Sequence, residues 1–258
     1  MTISAFSDEL AQVRTKKKEF LTQIERIVPW KEWLCLVQPC YYKGERGNKP
    51  YPLETMLRLY LLQNLYDLSD EATVAEVIDS RAFSDFCGID SSNQVPDEDT
   101  LGRFRNLLIK NGLQEKLFSQ VVAALMERGL ILKKGTIVDS TIISAPSSTK
   151  DKEKKRDPDA HQVKKGNTWH FGYKAHIGVD RGSGLVHTVE ATAANVHDAT
   201  ETSKLLTGDE DEVYGDSGYL GVEKPDCGLR KAGRIVEAVS AVCGYVESPH
   251  RGEELVCE

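Results

Sequence analysis

The chain has 258 residues, 40% of them hydrophobic and 28% charged, with a net charge of −7 at neutral pH. That is the composition of an ordinary globular protein, long enough for one large or two modest domains with real cores. The opening MTISAFSDELAQVRTKKKEF holds no apolar signal core, and no apolar run is long enough to span a bilayer, so secretory and membrane classes are excluded and a cytoplasmic protein is expected.

The first 130 residues read as helices. In LETMLRLYLLQNLY (53–66) the spacing sets Leu53, Met56, Leu57, Tyr60, Leu61 and Leu65 on one face. Ser69 offers an N-cap to SDEATVAEVIDS, with Asp70 and Glu71 in the first turn. VPDEDTLGRFRNLLIKNGL (95–113) has Asp and Thr cap candidates and a stop at Gly112. QEKLFSQVVAALMERGL (114–130) carries the stripe Leu117, Val121, Leu125 and Met126, with a stop at Gly129. Short helices on tight turns suit a helix-turn-helix-like bundle with Arg103 and Arg105 as exposed basic residues. Core packing explains the same stripes.

From residue 131 the period changes to that of strands. TIVDSTIISA (136–145) is β-branched and apolar with a single carboxylate, Asp139, inside it. A carboxylate in such a run must be solvated at an edge, paired, or bound to a metal. TKDKEKKRDPDAHQVKKGN (149–167) has no periodicity and reads as a mobile loop. The strands WHFGYKAHIGVD and LVHTVEATAANV follow, joined by a hairpin turn at Asp180–Gly184. HDATETSKLLTG (197–208) reads as a short helix and EVYGDSGYLG (212–221) as a fourth strand running into a turn. Strands, a helix and a further strand outline the first half of a mixed α/β sheet. The expected division is a helical domain over 1–130, a sheet domain over 131–225 and a separate tail over 226–258.

Charge is distributed unevenly. Residues 201–258 hold 13 acidic and 6 basic residues, whereas residues 150–174 carry eight basic residues, Lys150, Lys152, Lys154, Lys155, Arg156, Lys164, Lys165 and Lys174, against four acids. Clustering matters more than the sum where the partner is a polyanion, although a solvated loop is the commoner use of mixed charge. Trp169 and Tyr173, beside Lys174, could stack on a splayed base, though strand aromatics are usually core. The cysteines form no C-x-x-C pair, and the wide spacing of Cys227, Cys243, Cys257 and His250 argues against zinc. His170, His176, His187 and His197 alternate through the strands as surface or hydrogen-bonded residues rather than as a metal cluster. Ser140 and Ser217 lack the surroundings of a nucleophilic serine.

Asp139 finds a counterpart in Asp216, at the end of the fourth strand. If that strand lies beside the first, the two carboxylates share one edge, and a hard divalent cation, Mg²⁺ or Mn²⁺, relieves their repulsion with oxygen ligands. Two such ions could clamp a phosphoryl displacement.

Several of these stretches together resemble bacterial insertion-sequence transposases of the IS-five family. They are GTIVDSTIISAPSSTKDKEKKRDPDAHQVKKGNTWHFGYKAHIGVDRGSGLVHTVEATAANVHD with YGDSGYLGVEK, and upstream PLETMLRLYLLQNLYDLSDEATVAEVIDS and VPDEDTLGRFRNLL. The resemblance spans roughly residues 40 to 225. It implies an all-helical N-terminal domain that can serve in DNA binding, followed by an incomplete ribonuclease-H-like mixed-sheet domain bearing an Asp-Asp-Glu metal triad, with Asp139 and Asp216 as the first two members. It further implies metal-activated water nicking element ends and the freed 3′-hydroxyl attacking target DNA, with no nucleotide cofactor and no covalent protein–DNA intermediate. Double-stranded DNA, a homodimer in the synaptic complex and a bacterial cytoplasm, with nucleoid association when bound, are the implied partners and setting. After GVEK the resemblance fades into an acidic tail. Glu247 is the nearest candidate for the third carboxylate, but Gly244, Ser248, Pro249 and Gly252 disfavour a helix around it. A truncated or frameshifted, catalytically defective transposase is therefore expected. A non-catalytic DNA-binding or inhibitory fragment and a ribonuclease-H-like nuclease stand as alternatives.

Overall fold

Three of the helices described in the first unit start at a small polar cap. In the computed structural model, which describes residues 15–42, 49–133, 135–146, 157–208, 210, 212–216, 219 and 235–237, α1 (Lys16–Ile27) begins at Thr15, whose hydroxyl accepts from Lys18 N at 3.2 Å. The short α2 (Trp30–Val37) follows, and α3 (Leu53–Tyr66) starts directly after Pro52. Ser69 Oγ caps α4 (Asp70–Asp79) by accepting from Ala72 N at 3.1 Å, and Asp70 and Glu71 sit in its first turn, where the helix dipole favours them. Next come α5 (Arg81–Cys87), α6 (Glu98–Lys110), capped by the Asp97 carboxylate on Thr100 N at 2.6 Å, and α7 (Leu113–Glu127). The chain divides into two compact units, Met1–Arg128 and Gly129–Glu258. Among the described residues, no helix is long and apolar enough to cross a membrane.

The face expected for α3 proves too narrow. The helix buries Leu53, Met56, Leu57, Leu59, Leu62 and Gln63, while Tyr60, Leu61 and Leu65 are only half-buried. A helix packed by neighbours over most of its circumference has no single stripe to read. Residues of α1, α2, α5, α6 and α7 close around it, among them Leu21, Trp33, Phe83, Phe104, Leu108 and Leu117. Two polar clamps tie this core together. Arg105 grips Asp70 in a two-pronged pair at 2.6 and 2.7 Å, and Gln63 Nε2 adds a third donor at 2.6 Å. Arg58 pairs with Glu25 and Glu54 and stacks its guanidinium over Trp30 at 4.2 Å. Arg105 is partly exposed, as expected, but its guanidinium is committed to Asp70, whereas Arg103 faces solvent.

The second unit is a sheet built on β1 (Thr136–Ser144). It pairs antiparallel with β3 (Thr168–Asp180), which pairs antiparallel with both β2 (His161–Lys165) and β4 (Val186–Ala193). On its other side β1 pairs in parallel with the three-residue β5 (Val213–Gly215), which pairs in parallel with β6 (Ile235–Glu237). Parallel pairing of β1 and β5 requires a crossover, and α8 (Asp198–Leu205) provides it after β4. An antiparallel meander joined to a parallel pair through a helix is the ribonuclease-H-like mixed sheet expected.

Two features depart from the expectation. The stretch 149–167 is not loop throughout, because His161–Lys165 forms β2 against the start of β3. The propensity of its lysine-rich residues is weak, and pairing with a preformed neighbour overrides it. The fourth strand of the sequence reading is also shorter, ending at Gly215.

Candidate active site at the junction of β1 and β5

Strand β1 alternates. Thr136 and Val138 are buried toward α8, and Asp139 is exposed on the opposite face, its Oδ1 accepting from Ser140 N at 2.7 Å. The apolar run therefore serves one face and the carboxylate the other. The β1–β5 register pairs Thr136 with Val213 and Ile137 with Tyr214. Continued by two residues, that register would bring Asp216 level with Asp139, although β5 itself ends at Gly215. Asp216, just past the end of β5, is exposed as well.

The turn after β5 fixes that position. Tyr219 N donates to Asp216 O at 3.0 Å, closing the turn, and the Tyr219 ring is buried with Val138, Ala199, Leu205 and Val213. Gly215 lets the ring sit there, since a Cβ at that residue would lie 3.0 Å from both Cβ and Cγ of Tyr219. Burial pushes the Tyr219 phenol far above its ordinary pKa. Ser140 opposes that shift, while Asp198, Asp139 and Asp216 add to it, so the hydroxyl lies within the field of three carboxylates. Ser140 lies close enough to hydrogen-bond to it.

Beneath this edge lies a polar layer between the sheet and α8. Lys174 is buried, its Nζ donating to Val196 O at 2.8 Å and to Asp198 Oδ1 at 2.9 Å. Asp198 opens α8, where the helix dipole also favours it. His176 is fully buried, with Nε2 2.8 Å from Thr192 Oγ1. Its Nδ1 lies 3.7 Å from Asp198 Oδ1. Burial depresses the His176 pKa, with Lys174 working the same way and Asp198 against it. His187 obeys the same logic. Thr136 Oγ1 donates to Glu210 Oε1 at 3.2 Å and accepts from His187 Nε2 at 3.1 Å, while Thr188 Oγ1 donates to His187 Nδ1 at 2.8 Å. Burial lowers its pKa too. His197 caps α8, its Nδ1 accepting from Ala199 N at 3.3 Å.

The basic residues separate into groups. Lys164 and Lys165 are exposed on β2, with no ion pair among the described residues. Lys174 is committed to Asp198 and so differs from the free, phosphate-reaching lysine expected. Its place in a dense charge run concealed that the alternation of β3 turns it inward. Lys150, Lys152, Lys154, Lys155, Arg156, Ser217, Glu247, Cys227, Cys243, Cys257 and His250 lie outside the described residues. Sequence reasoning missed Tyr219, Lys174–Asp198 and the Thr136–His187–Glu210 network. The tyrosine two residues past Gly-flanked Ser217 was the one available signal.

Among the described residues, no group of three or more His, Cys, Asp and Glu side chains is arranged to hold a metal ion. The Asp139–Asp216 pair nevertheless has the chemistry of a partial site for a hard cation. Mg²⁺ commonly binds through one or two carboxylates and keeps several waters, which an exposed strand edge permits.

The fold defines a two-unit protein, a helical bundle followed by a ribonuclease-H-like mixed sheet. Residues 8–107 match the family model described as a transposase domain (DUF772), and residues 131–227 match that of the transposase DDE domain. The chain belongs to the transposases, carrying one transposase domain in each unit. Among solved structures it is similar to one described as a piggyBac transposase synaptic complex with hairpin DNA, determined by cryo-electron microscopy. The likeness has 11% identity and a TM-score of 0.40, and covers 84% of this chain. The chain spans about half the length of that protein, 48% of it being covered.

Proposed function

We propose that this chain acts on DNA as an insertion-sequence transposase of the IS-five type, with Asp139 and Asp216 holding part of a divalent-metal site. The observation that supports the proposal is the parallel β1–β5 register, whose continuation past Tyr214 would bring two carboxylates far apart in the chain to one row on one face. Mg²⁺ or Mn²⁺, when bound there, would supply positive charge for the phosphodiester oxygens and an activated water.

The chain's own residues do the positioning. β1 presents Asp139 on the solvent face, and the Tyr219 hydrogen bond ties down the backbone at Asp216. The Lys174–Asp198 pair fixes the start of α8 to β3 behind them. Lys164 and Lys165 lie on the same strand system as point charges for phosphates. Residues 228–258 lie outside both matched segments, and Glu247 is the candidate third carboxylate. Two carboxylates alone hold a metal weakly, so the cleavage activity of this chain is low in this reading. The same feature favours the second reading, a DNA-binding transposase fragment without catalysis.

Mn²⁺ titration of the wild type against the double variant Asp139→Asn/Asp216→Asn, by calorimetry, tests the site. Weak binding in the wild type that disappears in the variant supports it, and identical binding in both removes it. Cleavage of an element end in Mg²⁺ that is lost on Glu247→Gln would replace the low-activity reading with a complete triad.

A further inference from the structure

Strand β3 is longer than its partner β1. Its residues 172–180 pair with Ser144 back to Thr136, but residues 168–171 run on beyond the end of β1 and pair with β2 alone among the described strands. Gln162–His170 is therefore a two-stranded ribbon reaching past the end of β1, turned through Gly166 and Asn167. Gly166 takes φ +60° as the first of the two turn residues, the place where glycine is favoured. Such a ribbon is marginal in water unless something packs on it.

Its surface is unusual in what it exposes. Residues 162, 164, 165, 168 and 169 all face solvent. Trp169 is 64% exposed, the most exposed of the large hydrophobic side chains described. It pairs across the ribbon with Lys164, so ring and ammonium leave the same face, and Lys165 follows at the tip. The ribbon sequence QVKKGNTWH has two lysines and no carboxylate. The nearby aromatic Tyr173 is already engaged, its hydroxyl donating to Asp157 at 2.5 Å, which anchors the chain entering β2. No ring contact or hydrogen bond engages Trp169 among the described residues.

We propose that the β2–β3 ribbon is a stacking platform for an unpaired nucleobase of DNA, with Trp169 taking the base face and Lys164 and Lys165 the adjoining phosphates. This rests on the DNA-acting reading above. The charge suits a polyanion, and the ring chooses the form of the strand. Base-edge reading in a duplex groove relies on forked hydrogen-bond donors and acceptors, whereas a large flat apolar ring finds its match in a base face, which is hidden in a paired stack. Ile177 of β3 is level with Asp139, and Trp169 lies eight residues along, roughly 26 Å at the rise of a strand. The platform therefore holds flanking DNA rather than the reacting phosphodiester.

The test is equilibrium binding of the full chain to a blunt duplex and to the same duplex carrying an unpaired single-stranded flank, read by anisotropy and by quenching of tryptophan fluorescence. The other two tryptophans, Trp30 and Trp33, lie in the helical unit. The wild type should bind the flanked DNA more tightly, with quenching. Trp169→Ala should lose that preference by about 5- to 150-fold, the range for one stacked base, while keeping its duplex affinity and its circular dichroism. Trp169→Phe should keep most of the preference. Equal loss on both DNAs would overturn base stacking and make the ribbon a duplex contact, and no change in either would remove the ribbon from DNA binding. A wild type that binds neither DNA would overturn the DNA-acting function itself, an outcome distinct from both.

Discussion

Tyr219 joins the small core of the second unit to the turn at Asp216, and its ring and hydroxyl make different predictions. Its neighbours in that core are Val138, Ala199, Leu205 and Val213, a cluster too small to close over a lost ring. A buried aromatic withdraws roughly 150–250 Å² from water, worth about 4–6 kcal/mol at 25 cal/mol per Å² as an upper bound. Alanine retains Cβ, so Tyr219→Ala should cost about 3–5 kcal/mol. The hydroxyl is buried beside Ser140, and a single side-chain hydrogen bond is worth about 0.5–1.5 kcal/mol. Tyr219→Phe should therefore stay within about 1 kcal/mol of the wild type. Because the Tyr219 turn seats Asp216, Mn²⁺ binding should weaken in Tyr219→Ala and persist in Tyr219→Phe. Gly215→Ala should fall between them, costing about 1–3 kcal/mol for the 3.0 Å approach of its Cβ to the ring. Urea melts with parallel Mn²⁺ titrations read both quantities. A Phe variant that lost metal binding as fully as the Ala variant would show that the hydroxyl, not the packed ring, places Asp216.

Acid should destabilise the sheet unit in two stages. His176 and His187 are held neutral by burial, so below about pH 6.5 the unfolded chain takes up protons that the folded chain refuses, and stability falls. Below about pH 4 a second loss follows as Asp180, held low by N–H and O–H donors from Ser183, Leu132 and Lys133 that outweigh its burial, is forced to protonate. Melting temperatures across pH 4–8 should show the upper stage, and His187→Gln should flatten it; a flat profile in the wild type would contradict the buried neutral histidines. Lys164→Gln with Lys165→Gln should reduce the salt slope of DNA binding by roughly 2. Lys174→Gln should leave that slope intact but cost about 3 kcal/mol by stranding Asp198; the reverse pattern would put Lys174, not the ribbon, on DNA. In the helical unit, Arg105→Leu should cost about 1 kcal/mol, since Arg105 is substantially exposed. The Arg105 hydrogen bonds hold the Asp70 carboxyl below its usual range, so this loss should shrink as pH falls below about 4, and a cost unchanged at pH 3 would argue against the pair.

What the sequence reveals here follows how local each signal is. Ser69 caps its helix through a hydroxyl three residues from its donor, and the Asp180–Gly184 turn is read from five adjacent residues, so both were legible. Asp139 stood out because a charge in a β-branched run needs a reason, and Asp216 because it closes the next strand of the same kind. The buried faces of α3 were misread because their neighbours come from helices distant in sequence. Lys174 was grouped with its charged neighbours because its burial depends on Asp198 and Val196, which no local pattern announces. β2 was hidden for the same reason, its only argument for being a strand lying across the turn in β3. Trp169 was weighed against a core role that its projection beyond β1 removes.

The placement of β5 also bears on the order in which the protein acquires its chemistry. β1, β3 and β4 form a meander of near neighbours and can zip together as soon as they leave the ribosome. Asp139 is laid down in that early structure. Its counterpart arrives only after the whole of α8 has been made and the chain has crossed to the far side of β1, a step of long loop closure that is intrinsically slow. The pair of carboxylates is thus one of the last things to assemble. A half-folded chain would therefore present Asp139 on a formed meander before Asp216 has reached the far side of β1.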